Sequence, residues 1–410
     1  MVNELESFFS HNIKGMKRSA IREILKLTQR PEIISFAGGL PDPTLFPTTE
    51  LAEVTAEVLK NEATLALQYG TTEGDPLLRK LLVERYQKQG VNIQEKNLII
   101  TTASQQGLDL SAKIFINPND TVICGLPSYL GALSAFVSYG ANIEGVSLDE
   151  HGMRSDLLEA KILELREKGI HPKFIYTIPD FQNPTGISMP EWRRIEIIAI
   201  AEKYNIIILE DAPYREVRFA GIPQKTMLEL DRSGRVIQLG TFSKVFVPGF
   251  RIGWVVANEE IIDKFVVAKQ ATDLCTPAFV QRISARFIEK GYLDKNIAVV
   301  TSAYKQKQEH FIKCLQEYMP KDVTWTTPDG GLFLFLTLPE YIDATEFFQT
   351  AIEQKVAFVP GTSFYCNGEG KNTMRLNFSF MNLEKNEEGI KRLAKAIALE
   401  ITAKKTTPTF

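Results

Sequence analysis

The stretch "NIIILED", residues 205–211, is a continuous apolar run that ends in two acids. A strand apolar on both faces must be covered on both faces, which points to a parallel sheet between layers of helices. Similar runs flank it: "NLIITTA" (97–103), "DTVICG" (120–125), "KFIYTIPD" (173–180), "RVIQLGTFS" and "RIGWVVA". Helical spacing fills the gaps. "QQGLDLSAKIFI" follows the first run, and "EWRRIEIIAIAEKY" precedes "NIIILED", with Pro190 placed for a first turn. A helix is predicted over 76–89, with Asp75 as its cap, Pro76 at its first position and Gly90 at its end. Strands alternating with helices predict an α/β sheet, mostly parallel.

After about residue 290 the pattern changes. A long helical stretch, "AVVTSAYKQKQEHFIKCLQEYM", is followed by "VTWTTPDGGLFLFLTLP", "VAFVPG" and "TMRLNFSF", which are β-like, and by a final helix at about 383–403. This predicts a smaller α+β unit. The expected division is an N-terminal segment over 1–45, a large domain over 46–290 and a small C-terminal domain over 291–410. The first forty residues are expected to join the small unit or cover the site.

The chain has 410 residues and a formal net charge of −3. That balance gives no reason to expect nucleic acid or an anionic membrane as a partner. No run approaches the ~18 apolar residues of a spanning helix, and the start lacks an apolar leader core. A cytoplasmic location is expected. Cys124, Cys275, Cys314 and Cys366 are far apart, and the four histidines are equally scattered. Neither a disulfide framework nor a metal site is expected.

Ligands of such sheets sit beyond the carboxyl ends of the strands. Asp211 and the pair Ser243–Lys244 fall there. Taken singly, each residue has an ordinary use: a lysine ending a strand, a hydroxyl capping a turn, an Asn-Pro turn, a packed tyrosine. Together they suit one ligand. Thr241, Ser243 and Arg251 are fit to hold a phosphate. Ser104 and Gln105, in "TASQQG" (102–107), lie at a strand-to-helix turn whose free N–H groups favour an anion. Asp211, costly beside so apolar a strand, is eased by a cation such as a protonated pyridine nitrogen. Glu210 should point to the opposite face. Tyr214 and Asn183 can bond a phenolic oxygen, and Tyr129 can stack on a ring. Lys244 can condense with an aldehyde. A phosphate, a pyridine nitrogen, a phenolic oxygen and an aldehyde describe pyridoxal 5′-phosphate.

"SQQGLDL", "PSYLGA", "FQNPTG", "LEDAPYRE", "TFSKVFVPGFRIGW" and "MRLNFS" together resemble the class I/II aminotransferases of fold type I, over nearly the whole chain. "IREILKLTQRPEIISFAGGLPDPTLFP" is most similar to the 2-aminoadipate and kynurenine aminotransferase branch, including lysine-biosynthesis enzymes. The resemblance implies a large domain with a mostly parallel seven-stranded sheet, and a homodimer with shared active sites. It implies that Lys244 is the Schiff-base lysine and proton shuttle, that Asp211 pairs with the ring nitrogen, and that Asn183 and Tyr214 bond the phenolic oxygen. Tyr129 would stack on the ring; Ser104, Gln105, Thr241, Ser243 and Arg251 would hold the phosphate. Tyr69 would reach the neighbouring subunit's phosphate. Arg375 would bind the substrate α-carboxylate, helped by the Gly38–Gly39 turn. Arg22, off the apolar stripe of Ile21, Ile24, Leu25 and Leu27, would meet a substrate side-chain carboxylate. The implied reaction moves an amino group from an L-amino acid to a 2-oxo acid such as 2-oxoglutarate. A β-lyase or decarboxylase on the same cofactor and a ligand-sensing regulator are the alternatives. Arg375 favours transamination, because it anchors the carboxylate that a decarboxylase removes.

Overall fold

The structure, a computed structural model, describes residues 5–16 and 30–406. Two sheets organise the chain. The strands are numbered along it: β1 (Ile34–Ser35), β2 (Leu98–Thr102), β3 (Thr121–Leu126), β4 (Asn142–Asp149), β5 (Gly152–Met153), β6 (Phe174–Thr177), β7 (Ile207–Asp211), β8 (Val236–Thr241) and β9 (Ile252–Val256). Five more follow: β10 (Thr324–Trp325), β11 (Phe333–Thr337), β12 (Val356–Ala357), β13 (Val359–Pro360) and β14 (Thr373–Asn377).

The large sheet has the order β2-β9-β8-β7-β6-β3-β4-β5. Strands β8, β7, β6, β3 and β4 are parallel, and β9 runs against both its neighbours. The expected seven strands are all present. An eighth, β5, is added by an antiparallel turn-back from β4, with Asp149 opposite Gly152. At two residues it is too short to leave a periodic signal. Residues of β3, β7 and β8 are buried almost throughout, as the apolar runs require.

The helices carry the punctuation that the sequence predicts, with one shift. Asp75 accepts from Leu78 N at the start of Pro76–Lys88, and Gly90 follows with φ +89°, a conformation open to glycine. Pro190 does not occupy the first turn of Glu191–Tyr204. It is the residue before it, at the N-cap. That helix ends on Asn205 in the left-handed region.

The second sheet is antiparallel, with the order β10-β11-β14-β13. A helix over Tyr292–Tyr318 leads into it, and a helix over Leu383–Thr406 closes the chain. β1 pairs in parallel with β12, Ile34 opposite Val356. Phe36 N donates to Ala357 O, and Asn377 N donates to Phe36 O. β1 and β12 thus form a two-stranded sheet of their own, tied to the end of β14 through Asn377, and this brings Ala37 to Gly39 over the ends of the large sheet.

Candidate active site

The parallel strands of the large sheet end at one edge. Thr102, Leu126, Thr177, Asp211 and Thr241 are the last residues of β2, β3, β6, β7 and β8. The loops that leave them carry most of the residues singled out above.

Lys244 lies in the turn after β8. Its Nζ donates to Gly39 O at 3.0 Å and sits 5.9 Å from the centre of the Tyr214 ring. Desolvation, with Arg375 and Arg251 nearby, brings its ammonium down to about 8, against an opposing pull from Asp211. Asp211 is 2% exposed. Its Oδ2 accepts from Tyr176 Oη at 2.9 Å, while Oδ1 is buried with no hydrogen-bond partner among the described residues. Burial pushes its carboxyl up to about 7, although the Tyr176 hydrogen bond and the Lys244 charge pull it down. Glu210, the preceding residue, points the other way as expected. It accepts from Met227 N, Leu228 N and Gln238 Nε2.

Asn183 links two neighbours. Its Nδ2 donates to Tyr214 Oη at 3.2 Å, and its Oδ1 accepts from Arg375 Nη1 at 3.0 Å. Arg375 Nη2 donates to Ala37 O at 2.7 Å. The guanidinium lies between the Phe333 and Phe364 rings, 4.2 and 5.2 Å from their centres. Burial brings it down to about 10. Two of its five N–H groups are used, and the other three, Nε included, are without a partner among the described residues.

The anion side is also assembled. The helix Ala103–Phe115 begins directly after β2, so Ser104 and Gln105 stand in its first turn. Ala103, at φ +59°, donates its N–H to Arg251 O. A Cβ at Gly253 would lie 2.6 Å from Ser104 N, so only glycine lets β9 pass this close. Thr241 Oγ1 and Ser243 Oγ are 2.9 Å apart, and Arg251 Nη1 donates to Ser243 Oγ at 3.5 Å. Tyr129 Oη donates to Gln105 Oε1 at 3.3 Å, which ties the ring to this cluster.

Gly38 is buried and Gly39 half-buried beside Lys244. Tyr69 does not join the cluster within this chain; it is 82% exposed. Arg22 lies outside the described residues.

A family model, "Aminotransferase class I and II", matches residues 33–393. The chain belongs to this family. The enzyme is 46% identical to aromatic-amino-acid aminotransferase 1 of Thermococcus litoralis, over 97% of this chain and 96% of that one. Pyrococcus horikoshii kynurenine aminotransferase, solved in complex with PMP, KYN as substrates and KYA as products, superposes with a TM-score of 0.94 at 44% identity, covering 98% of this chain and 99% of that one. The α-aminoadipate aminotransferase of Thermus thermophilus, complexed with N-(5′-phosphopyridoxyl)-L-leucine, gives 0.89 at 36% identity, covering 97% and 99%.

Several side chains of the enzyme's site carried no signal in the sequence. Tyr176 reads as one more residue of an apolar strand. Phe333 and Phe364 read as core. Gln106 ties the turn to Asp273: its Oε1 accepts from Thr102 N, and its Nε2 donates to Asp273 Oδ2. Only the tertiary neighbours reveal these contacts. Elsewhere, His310, Cys314 and Glu387 have donor atoms within 4.8 Å of one another. Two of these residues have other partners: His310 Nε2 lies 3.1 Å from Leu383 O, and Glu387 Oε1 accepts from Lys391 Nζ at 2.7 Å. Among the described residues, no helix is long and apolar enough to cross a membrane.

Proposed function

We propose that this enzyme is a broad-range aminotransferase, moving amino groups from aromatic, kynurenine-like, 2-aminoadipate and related L-amino acids to 2-oxo acids, with 2-oxoglutarate as the common acceptor. Its cofactor is pyridoxal 5′-phosphate. The observation that carries the reading is Asp211: a buried carboxylate with one oxygen unpartnered among the described residues, within electrostatic reach of a depressed lysine. Such an oxygen fits the N–H of a protonated ring. When bound, the cofactor withdraws electrons from the substrate α-carbon and carries the amino group between the two substrates.

The chain's own groups do the rest. Asp211 keeps the ring nitrogen protonated. Asn183 Nδ2 and the Tyr214 hydroxyl would hold the phenolic oxygen, and Tyr129 would pack on the ring. Ser104, Gln105, Thr241, Ser243 and Arg251 hold the phosphate. Lys244, neutral in growing fraction as the pH passes about 8, would take the proton from the substrate α-carbon and hold it beside the cofactor. The open fork of Arg375 takes the α-carboxylate. Ala37 and Gly39 stand over these two cations through their carbonyls.

The working unit is a homodimer in which Tyr69 serves the partner's phosphate site. Its exposure, with Leu65 and Leu67 exposed beside it, supports this. The division at 1–45, 46–290 and 291–410 fits a second sheet built wholly from strands after residue 323, apart from its link to β1. Four free cysteines suit the reducing cytoplasm. Arg22 reads acidic side chains, so Arg22→Ala raises KM for glutamate and 2-aminoadipate about 10-fold and leaves leucine or phenylalanine unchanged.

Amino-donor profiling with 2-oxoglutarate tests the reading. Glutamate formation from several aromatic and acidic donors is expected. Release of carbon dioxide or ammonia without glutamate would assign the site to a decarboxylase or a β-lyase instead.

A further inference from the structure

Asp211 has two oxygens in different situations, and the cause is one residue. Tyr176 lies on β6, next to β7, opposite Leu209 in the register. It has no exposed surface. Its ring packs edge-on against Phe136, with centres 5.5 Å apart and planes at 77°. Its hydroxyl donates to Asp211 Oδ2 at 2.9 Å. Burial, and then the Asp211 charge beside it, hold the phenol well above its ordinary range. The hydroxyl therefore keeps its proton at working pH, and toward Asp211 it acts as a donor. A phenol without a partner in so apolar a strand would be costly, and phenylalanine would fill the same space. The hydroxyl has a use that packing does not supply.

We propose that Tyr176 is a positioning residue for the cofactor ring: it fixes the rotation of the Asp211 carboxylate and leaves Oδ1 as the oxygen presented to the ring N–H. The inference rests on the reading that Asp211 pairs with the ring nitrogen. Without Tyr176 the carboxylate has two equivalent oxygens, can turn about its terminal bond, and loses the hydrogen bond that favours its charged form. A neutral or misaligned carboxyl holds a ring cation less well. The effect of Tyr176 thus passes through Asp211, with no contact to substrate.

The test uses Tyr176→Phe in the full chain. This substitution removes the hydroxyl and keeps the ring against Phe136. Titration with pyridoxal 5′-phosphate should give a dissociation constant raised about 10-fold, the worth of one hydrogen bond to a charged group. The pH midpoint of the holoenzyme's visible absorption band should also move. Incorporation of 3-fluorotyrosine at 176, with a more acidic hydroxyl and thus a stronger donor, should move that midpoint in the opposite direction. It decides the matter even where the phenylalanine variant folds poorly. An unchanged midpoint in the fluorotyrosine protein, or shifts of the same sign in both variants, overturns the proposal. Asp211→Asn, measured alongside, separates the two levels. If it weakens the cofactor while both Tyr176 changes are silent, only the role of Tyr176 falls. If it too is silent, the assignment of Asp211 falls with it.

Discussion

Asp180 and Asp211 are both buried aspartates reached through parallel strands, and their surroundings are opposite. Asp180 follows β6 and has no exposed side chain. It accepts from Arg194 Nη2 at 2.8 Å and Nη1 at 3.3 Å, from Arg215 Nη1 at 3.2 Å and from Arg218 Nη2 at 3.4 Å. Burial alone would raise its carboxyl, but the three guanidiniums outweigh it and hold the group below its usual value. Asp211 has one hydroxyl and one distant ammonium, and burial wins. One carboxylate is complete within its own chain; the other is left incomplete. The complete one anchors the loop that carries Asn183, and Arg218 also lies 4.6 Å from the Phe181 ring centre in that loop. A saturated charge fixes geometry, and an unsaturated one waits for a ligand.

Substitutions at the incomplete end should remove chemistry and leave the fold. Lys244→Ala has the largest expected effect. It should abolish turnover and the chromophore that borohydride fixes to the protein, while the melting temperature of the cofactor-free chain holds or rises, since a buried ammonium has been removed. A reduced adduct at Lys264 or Lys269 would break the assignment. At the complete end the order reverses. Asp180→Ala leaves three guanidiniums facing one another, two of them largely buried. A loss of about 3–5 kcal/mol in unfolding free energy is expected. Denaturant titration checks it, and a loss below about 1 kcal/mol would mean that solvent already screens the cluster.

The cofactor-free protein should show the difference as pH dependence. Asp211 is raised to about 7 from 3.8, so its proton is held more tightly in the fold. That stabilisation is full below about 4 and is lost as the pH climbs through 7. Lys244 is lowered to about 8 from 10.5, so the fold bears a cost while the amine is charged, relieved between about 8 and 10.5. These two groups together predict a trough in stability between about pH 7 and 8. Its acid side is worth at most ~4 kcal/mol, from a shift of about three pK units. Melting curves of Asp211→Asn should lack the acid slope, and those of Lys244→Ala the alkaline rise. Asp180→Asn, by contrast, should show its full loss of stability above about pH 4, and the loss should fade below that as the pH falls through the lowered native value of the carboxyl. Parallel curves for wild type and Asp211→Asn would remove the contrast.

The sequence made the incomplete end far more legible than the complete one. Asp211, Lys244 and Asn183 each follow a strongly apolar strand, and parallel strands must deliver their last residues to one edge, so adjacency along the chain predicts adjacency in space. Arg194 sits in "EWRRIEIIAIAEKY", where helical spacing gives no sign that it is fully buried. Its partner is 14 residues away and on another element. Tyr176 has the same problem across two strands. Tyr69 was singled out by its motif only, and the single chain leaves it in solvent. The two-residue β5 falls below any periodicity. What depends on one strand end can be read; what depends on which side chains meet across elements cannot.

Arg375 stands between the two kinds of region. It is buried like Asp180, and two of its N–H groups are already bonded, to Asn183 and Ala37. It is unsaturated like Asp211, because Nε and the remaining terminal N–H groups have no partner among the described residues. The bonds to Asn183 and Ala37, and the rings of Phe333 and Phe364, hold the fork in place before substrate arrives. A two-point charged contact with a carboxylate should then be worth about 3 kcal/mol. Arg375→Ala should lower kcat/KM for every amino donor about 100-fold, with the absorption spectrum of the bound cofactor little changed. Arg375→Lys restores the charge without the fork and should recover less than half of that loss on a free-energy scale. The comparison across donors sharpens the point. The loss should be equal for phenylalanine, leucine and glutamate, because the α-carboxylate is common to all three. A loss confined to glutamate would move Arg375 from the shared end of the substrate to its side chain. A loss of cofactor from Arg375→Ala would make it a structural charge like Arg194, acting through Asn183 on the ring.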